Sequence, residues 1–248
     1  MTTDYIGPYF NGLNMKTKGI VYYSQLNKDP ALLKYCQGIL RKSAEGIEIV
    51  SVTSIPTDFG DRNIVFDSGH KNFLDMFERI LVGLKALDTD VVFVAEDDNV
   101  YPKEHFEITP EKDDVYYYNT NCWQIRAADG YAVKYDCKRL SGMCANREFL
   151  IRHYEKRIAM CKAPDFRGFR HQGFEPGTHN RAERVDDFKA EGWLSSVPYL
   201  DLVLQNATAR NWRPEDFRSQ QSCRNWTVAE NGEIPQWGRF KDFFGKVG

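Results

Sequence analysis

The chain predicts an α/β fold: a doubly wound, mostly parallel sheet followed by a smaller mixed or antiparallel region. Three observations carry this. Gly19-Ile20-Val21-Tyr22-Tyr23, residues 47–53 and Val91-Val92-Phe93-Val94-Ala95 are apolar, β-branched runs without polar alternation, as in strands buried on both faces. Two segments with helical apolar spacing separate them, giving the order β-α-β-α-β and a right-handed crossover. Past Asp113, short strands and turns replace that alternation.

Taken in order, residues 1–17 read as an irregular leader with turn signals at Gly7-Pro8 and Asn11-Gly12. Asp29-Pro30 opens the first helix, an acidic cap before a proline whose missing N–H costs nothing there. Leu32, Leu33, Cys36, Ile39 and Leu40 form its buried stripe. Residues 54–67 read as a polar loop. Ser68 is the expected cap of a second helix, whose Phe73, Phe77, Ile80, Leu81, Leu84 and Leu87 recur at helical spacing. Short strands follow at Val115-Tyr116-Tyr117-Tyr118, Trp123-Gln124-Ile125 and Tyr131-Ala132-Val133, as in an antiparallel insert. Asn146 caps a helix over residues 148–161 with Phe149, Leu150, Tyr154 and Ile158 on one face. The polar stretch 163–192 suits a functional loop or a disordered one. Residues 193–204 return to sheet, Pro214-Glu215-Asp216 starts a short helix, and the Trp- and Phe-rich tail packs on the body.

Composition is that of a globular protein, 42% hydrophobic and 27% charged, with a net charge of −2. The charge is uneven. Residues 1–125 hold 12 Lys+Arg against 19 Asp+Glu, and residues 126–248 hold 21 against 16, with 14 of the 17 arginines. An arginine-rich second half suits phosphate or carboxylate ligands, and structural ion pairs are the plain alternative. No segment reaches the roughly 18 apolar residues of a membrane span, and the N-terminus shows no signal-peptide core. Cytoplasmic residence is therefore expected, in a host cytoplasm if the chain is phage-encoded. Six cysteines (Cys36, Cys122, Cys137, Cys144, Cys161, Cys223) without a CxxC pair point to reduced, structural thiols.

The most informative segment ends the third strand. Val91-Val92-Phe93-Val94-Ala95 runs into Glu96-Asp97-Asp98-Asn99, delivering three carboxylates to the end of a buried strand, where an α/β sheet binds ligands. Their mutual repulsion is tolerable around a divalent cation, and oxygen ligands suit Mn²⁺ or Mg²⁺. A solvated acidic turn is the other reading.

This segment, with Pro102 after it, resembles the acidic motif of GT-A-fold, Rossmann-like glycosyltransferases, in which a strand end holds the metal of a nucleotide-sugar. Gly69-His70-Lys71-Asn72 is similar to that family's helix start near the nucleotide. Leu140-Ser141-Gly142-Met143-Cys144-Ala145-Asn146-Arg147-Glu148-Phe149 resembles its strand leading into the acceptor-side helix. The resemblance covers roughly residues 18–160. It implies a nucleotide-sugar-binding half at 18–125, an acceptor-binding half at 126–248, and transfer of a sugar, UDP-sugar favoured, to an acceptor hydroxyl. By the same resemblance Asp98 is the direct metal ligand, with Glu96 at the metal or ribose and Asp97 at the nucleotide. Tyr22, Tyr23, Ser24 and Thr53 fall at the base and ribose together with Ser54 and Pro56, and Asp58, Arg62 and Lys71 complete the pocket. His179 or His171 is the candidate further metal ligand. The base of an inverting reaction falls on Asp186 or Asp187, with Asp201 and Glu175 as competitors.

Trp193-Leu194-Ser195-Ser196-Val197-Pro198-Tyr199-Leu200-Asp201, with Asn206, Thr208 and Trp212, is similar to phage-type glycosyltransferases that decorate hydroxymethylated pyrimidines in DNA. Arg210, Arg213, Arg218 and Arg224 with Trp212 and Trp226 suit phosphate contacts and base stacking. DNA is accordingly the candidate acceptor, and neither a membrane nor a protein partner is expected. Two other classes stay open: a nucleotidyltransferase, disfavoured because Ser24-Gln25-Leu26-Asn27 lacks glycines for a triphosphate, and a non-enzymatic nucleic-acid- or saccharide-binding module.

Overall fold

The computed structural model describes residues 16–70, 72–127, 129–166, 168, 175–178, 189–203 and 225–244. In chain order the elements that position the site are β1 (Lys18–Ser24), α1 (Pro30–Ser43), β2 (Glu48–Thr53), β3 (Arg62–Val65), α2 (Phe73–Ala86), β4 (Val91–Ala95) and β5 (Asn99–Val100). Then come β6 (Tyr116–Asn119), β7 (Cys122–Arg126), β8 (Ala132–Lys134), β9 (Met143–Asn146) and α3 (Arg147–Lys162). The described chain closes with β10 (Ala190–Trp193), β11 (Tyr199–Val203), β12 (Thr227–Val228), β13 (Glu233–Ile234), β14 (Gly238–Arg239) and α4 (Phe240–Phe243).

The larger sheet has the order β10-β6-β9-β4-β1-β2-β3. Strands β3, β2, β1 and β4 are mutually parallel, β9 alone runs against its neighbours, and β10 lies parallel to β6. This is the expected doubly wound, mostly parallel α/β architecture. Its two faces are covered by different helices. Val21, Val50, Val52, Val92 and Val94 pack with Phe77, Ile80 and Leu84 of α2 and Leu150, Tyr154 and Ile158 of α3. On the other face Ile20, Tyr22, Ile49, Val91 and Phe93 pack with Leu40 of α1. Alternate residues of each strand feed alternate cores, so runs such as VVFVA must be apolar throughout.

The smaller sheet, β12-β8-β7-β11-β5, is mixed: β7 and β11 are parallel and the other pairs antiparallel. Val100, Trp123, Ile125, Leu200 and Leu202 bury its inner face against Leu32 and Cys36 of α1 and Phe240 of α4. The aromatic tail therefore belongs to a core, as expected. β4 belongs to the larger sheet and β5 to the smaller, so the chain crosses between them at residues 96–98.

Local chemistry sets the helix starts. The Asp29 carboxylate accepts from the Ala31 and Leu32 N–H groups, and Asn146 accepts from Phe149 N. The cap expected at Ser68 is Asn72 instead, whose side chain accepts from Leu74 N. Ser68 donates to Asp75 and accepts from His70 N, holding the segment before the helix. The expected loop 54–67 contains β3, an edge strand of four half-exposed or exposed residues with too little apolar pattern to read. The strand expected at 115–118 joins the larger sheet rather than an insert. α2 lies very close to β1: a Cβ on Gly83 would stand 2.6 Å from Val21 Cγ1. Among the described residues no helix is long and apolar enough to cross a membrane, and Cys36, Cys122 and Cys144 are free thiols. Cys223, the expected helix at Pro214 and most of 163–192 lie outside the described residues.

Candidate functional site

In the larger sheet the strands run outward from β1 to β2 and β3 on one side and to β4 on the other, so the order reverses between β1 and β4. Crevices outside the carboxyl ends of strands at such a reversal are where open α/β sheets bind ligands. Here the ends of β1 and β4 are tied together. Tyr23 donates its hydroxyl to Glu96, and Ser24 Oγ donates to Asp97 Oδ2 at 2.5 Å. Next to them Lys28 Nζ lies 2.9 Å from Asp98 Oδ2, and Asn99 Nδ2 donates to Asp98 Oδ1 at 3.1 Å. The smaller sheet brings a fourth carboxylate. Asp201 pairs in register with Asn99, and Leu202 N donates to Asp98 O at 2.8 Å. Its own Oδ2 accepts from Gln124 Nε2 and Arg139 Nη1, each at 3.2 Å.

Crowding shows in the acidities. Burial, reinforced by Asp98, raises Glu96 to about 8, well above the ordinary carboxylate range. Burial and Asp98 raise Asp97 to about 6, against the opposing Ser24 hydrogen bond and Lys28 charge. Asp201 is raised by burial and by Asp98, with Arg139 opposing. For Lys28 burial favours the neutral amine, but Asp98, Asp97 and Glu96 outweigh it and hold its proton more tightly than usual.

A cleft of about 410 Å³ opens beside these carboxylates, lined by Tyr23, Ser24, Gln25, Lys28 and Asp97 on one side and by Asn72, Phe73, Met76 and Arg79 of the α2 region on the other. Asp75 also lines it and meets Arg79 Nε at 2.7 Å, both side chains 3% exposed. Burial pushes the Asp75 carboxyl up, but hydrogen bonds from Arg79, Ser68 and Gln25 outweigh it and hold it below the ordinary range. Arg79 Nη2 donates to Ser54 Oγ, whereas its buried Nη1 has no hydrogen-bond partner. The loop carrying Gln25 and Lys28 turns through Leu26, which has φ 54 and its N–H on Ser24 Oγ. A leucine in left-handed backbone is strained, and the bonds around Ser24 hold it there.

Of the expected site residues, Tyr23, Ser24, Glu96, Asp97, Asp98 and Asp201 converge. Tyr22 is buried against Phe59, its hydroxyl accepting from Gln37 and lying within reach of Ser24 and Asp97. Thr53 ends β2, but its hydroxyl donates to Ile55 O and accepts from Asn63. Asp58 is exposed in the loop after β2. Arg62 is not brought to the cleft: it begins β3, bonded to Glu48 and to the carbonyl of Ala86, at the amino end of the sheet. Lys71, His171, His179, Asp186, Asp187 and the arginines at 210, 213, 218 and 224 lie outside the described residues. Glu175 is described and accepts from Thr178 Oγ1 at its backbone carbonyl. Sequence reasoning passed over Lys28, Asp75, Arg79 and Arg139. The last three are charges inside or beside apolar patterns, and Asp75 and Arg79 stand at i,i+4 on a helix whose surroundings are otherwise core.

The expected metal can be tested against this donor set. Among the described residues no three His, Cys, Asp or Glu side chains are placed to hold one ion. Each carboxylate already has an internal donor: Tyr23 on Glu96, Ser24 on Asp97, Lys28 and Asn99 on Asp98, Arg139 and Gln124 on Asp201. The described residues do not fit a divalent cation in this arrangement.

No family model and no curated protein matches the chain. Among solved structures it is similar to one described as a glycosyltransferase involved in the glycosylation of the major capsid of PBCV-1, at 10% identity and a TM-score of 0.39, covering 62% of this chain and 71% of that one. It is also similar to the bifunctional IspDF from Campylobacter jejuni, at 10% identity and a TM-score of 0.33, covering 60% of this chain and 45% of that one. Its own sheet order and flanking helices give a Rossmann-like α/β fold.

Proposed function

We propose that the chain is a glycosyltransferase that takes a sugar from a nucleoside-diphosphate donor held in the β1–α2 cleft. The observation that carries this reading is that the cleft opens at the β1/β4 reversal onto Asp97 and Lys28, which join it to the neighbouring carboxylates Glu96, Asp98 and Asp201. The cleft offers an apolar wall, Phe73 and Met76, for a base and polar groups from β1 for a ribose. The carboxylates then stand at the reacting end.

Transfer breaks the bond between the sugar and the diphosphate and places negative charge on the departing phosphate, so a cation must face it. An acceptor hydroxyl must also lose its proton. Asp201 is the described carboxylate suited to take it, since burial and Asp98 make it a stronger base than an ordinary aspartate. Asp186 and Asp187 remain alternatives for that role. UDP-sugars are the first donors to test, and hydroxymethylated DNA the first acceptor.

A screen of nucleotide-sugars for hydrolysis, with and without Mn²⁺, tests the reading without knowledge of the acceptor. Release of nucleoside diphosphate from one donor, suppressed by Asp201→Asn with donor affinity retained, supports it. Turnover of nucleoside triphosphates to pyrophosphate instead would favour a nucleotidyltransferase.

A further inference from the structure

Besides Asp97, which lines the cleft itself, one cationic side chain joins the acidic segment to the cleft, Lys28. It is the ion-pair partner of Asp98, and it lines the cleft. Its ammonium carries three N–H donors, and Asp98 Oδ2 accounts for one of them at 2.9 Å. Lys28 and Asp98 are both largely shielded, with side-chain exposures of 27% and 20%. An ammonium 2.9 Å from Asp98 Oδ2 crowds the oxygen to which a bridging divalent ion would have to bind. Such an ion binds oxygen at about 2.0–2.2 Å, and it would be repelled by the lysine unless the lysine left.

Resting on the proposed nucleotide-sugar reading, we infer that Lys28 is the cation that receives the donor's diphosphate, and that the chain binds nucleoside diphosphates without a divalent metal. Lys28 takes the place at Asp98 that a metal would otherwise fill. Asp98 holds the ammonium beside the cleft and leaves two of its N–H groups for ligand. Arg79 lines the same cleft, and its buried Nη1 has no hydrogen-bond partner. The strained turn at Leu26 sets the reach of Lys28, because Leu26 N is bonded to the same Ser24 Oγ that donates to Asp97. Asp98 is a positioning residue for Lys28 rather than a metal ligand.

Calorimetric titration of the whole chain with UDP and with GDP tests this, in chelator and again in Mn²⁺. Binding in chelator, changed less than about twofold by Mn²⁺, is expected for the wild type. Lys28→Met should weaken it by about 10- to 100-fold, the range of a lost charge-assisted hydrogen bond, and Lys28→Arg should restore a large part. Lys28→Met should also bind Mn²⁺ more tightly than the wild type, read by the loss of the free-ion electron paramagnetic resonance signal, because Asp98 is then uncovered. Circular dichroism and urea unfolding confirm that both variants fold. Nucleotide binding that appears only with Mn²⁺, or that Lys28→Met leaves intact, overturns the inference while leaving the transferase reading standing. A chain that binds no nucleoside diphosphate under either condition refutes both.

Discussion

Ser24 and Asp97, 73 residues apart, share a 2.5 Å hydrogen bond that joins the tips of two adjacent parallel strands. The same hydroxyl oxygen accepts from Leu26 N, so one serine fixes both an acidic side chain and a strained turn. Ser24→Ala should therefore raise Asp97 further above about 6, since the bond it loses favours the carboxylate. Carbon-detected NMR titration of the aspartate carboxyls would measure this. A variant in which Asp97 titrates at or below its wild-type position would refute that role for the serine.

Glu96 makes stability depend on pH. Its ordinary value of 4.5 rises to about 8 in the folded chain, so the native state holds a proton that the unfolded state releases. Its contribution is fully present below about 4.5 and is lost as pH rises through about 8. Asp97 and Asp201 act in the same direction, as both are also raised. Urea unfolding at several pH values should show stability falling across this window, by up to about 1.4 kcal/mol per pH unit for one such group. Glu96→Gln, uncharged at every pH, should flatten the slope, matching the wild type below about 4.5 and exceeding its stability increasingly as pH rises toward about 8.

The Asp75–Arg79 pair is buried on both sides, and removing one partner strands the other charge. Arg79→Met should cost about 3–5 kcal/mol in urea unfolding. Pairing it with Asp75→Asn should recover much of that loss, because no charge is then left alone. A single variant as stable as the wild type would show that water reaches Asp75 from the cleft.

Gly83 tests the seating of α2. A methyl there meets Val21 Cγ1 at 2.6 Å and Cγ2 at 2.9 Å, so either β1 or α2 must move. Gly83→Ala should destabilise by about 1–3 kcal/mol despite alanine's better helix propensity. Adding Val21→Ala should return part of the loss, and thermal unfolding of the three variants measures it.

What the sequence disclosed, and what it hid, follows from the range of the forces involved. β1, β2 and β4 are unbroken apolar runs because two cores flank them, and α1 and α3 announce themselves through Asp29 and Asn146. β3 escaped because an edge strand with one exposed face has no need of such a run. Asn72 displaced Ser68 as a cap for a similar reason: both can accept from a helix N–H, and the choice fell to Asp75, which takes the Ser68 hydroxyl. In the site, Glu96, Asp97 and Asp98 were legible because they interrupt an apolar strand. Lys28 and Arg139 were not, because their meaning depends on partners 70 and 62 residues away. Asp201 was visible only as one acid among several until β11 paired with β5.

The passage of the chain from one sheet to the other at residues 96–98 makes the carboxylates common ground between them. Asp98 is held on one side by Lys28, from the β1–α1 loop, and on the other by the Leu202 amide of β11. A change in the packing of the smaller sheet, even one distant from the cleft, must therefore be felt as a change of voltage at its mouth. Substitutions at Gln124 or Arg139 would retune Asp201 and, through it, its acidic neighbours, without touching a residue that lines the cleft.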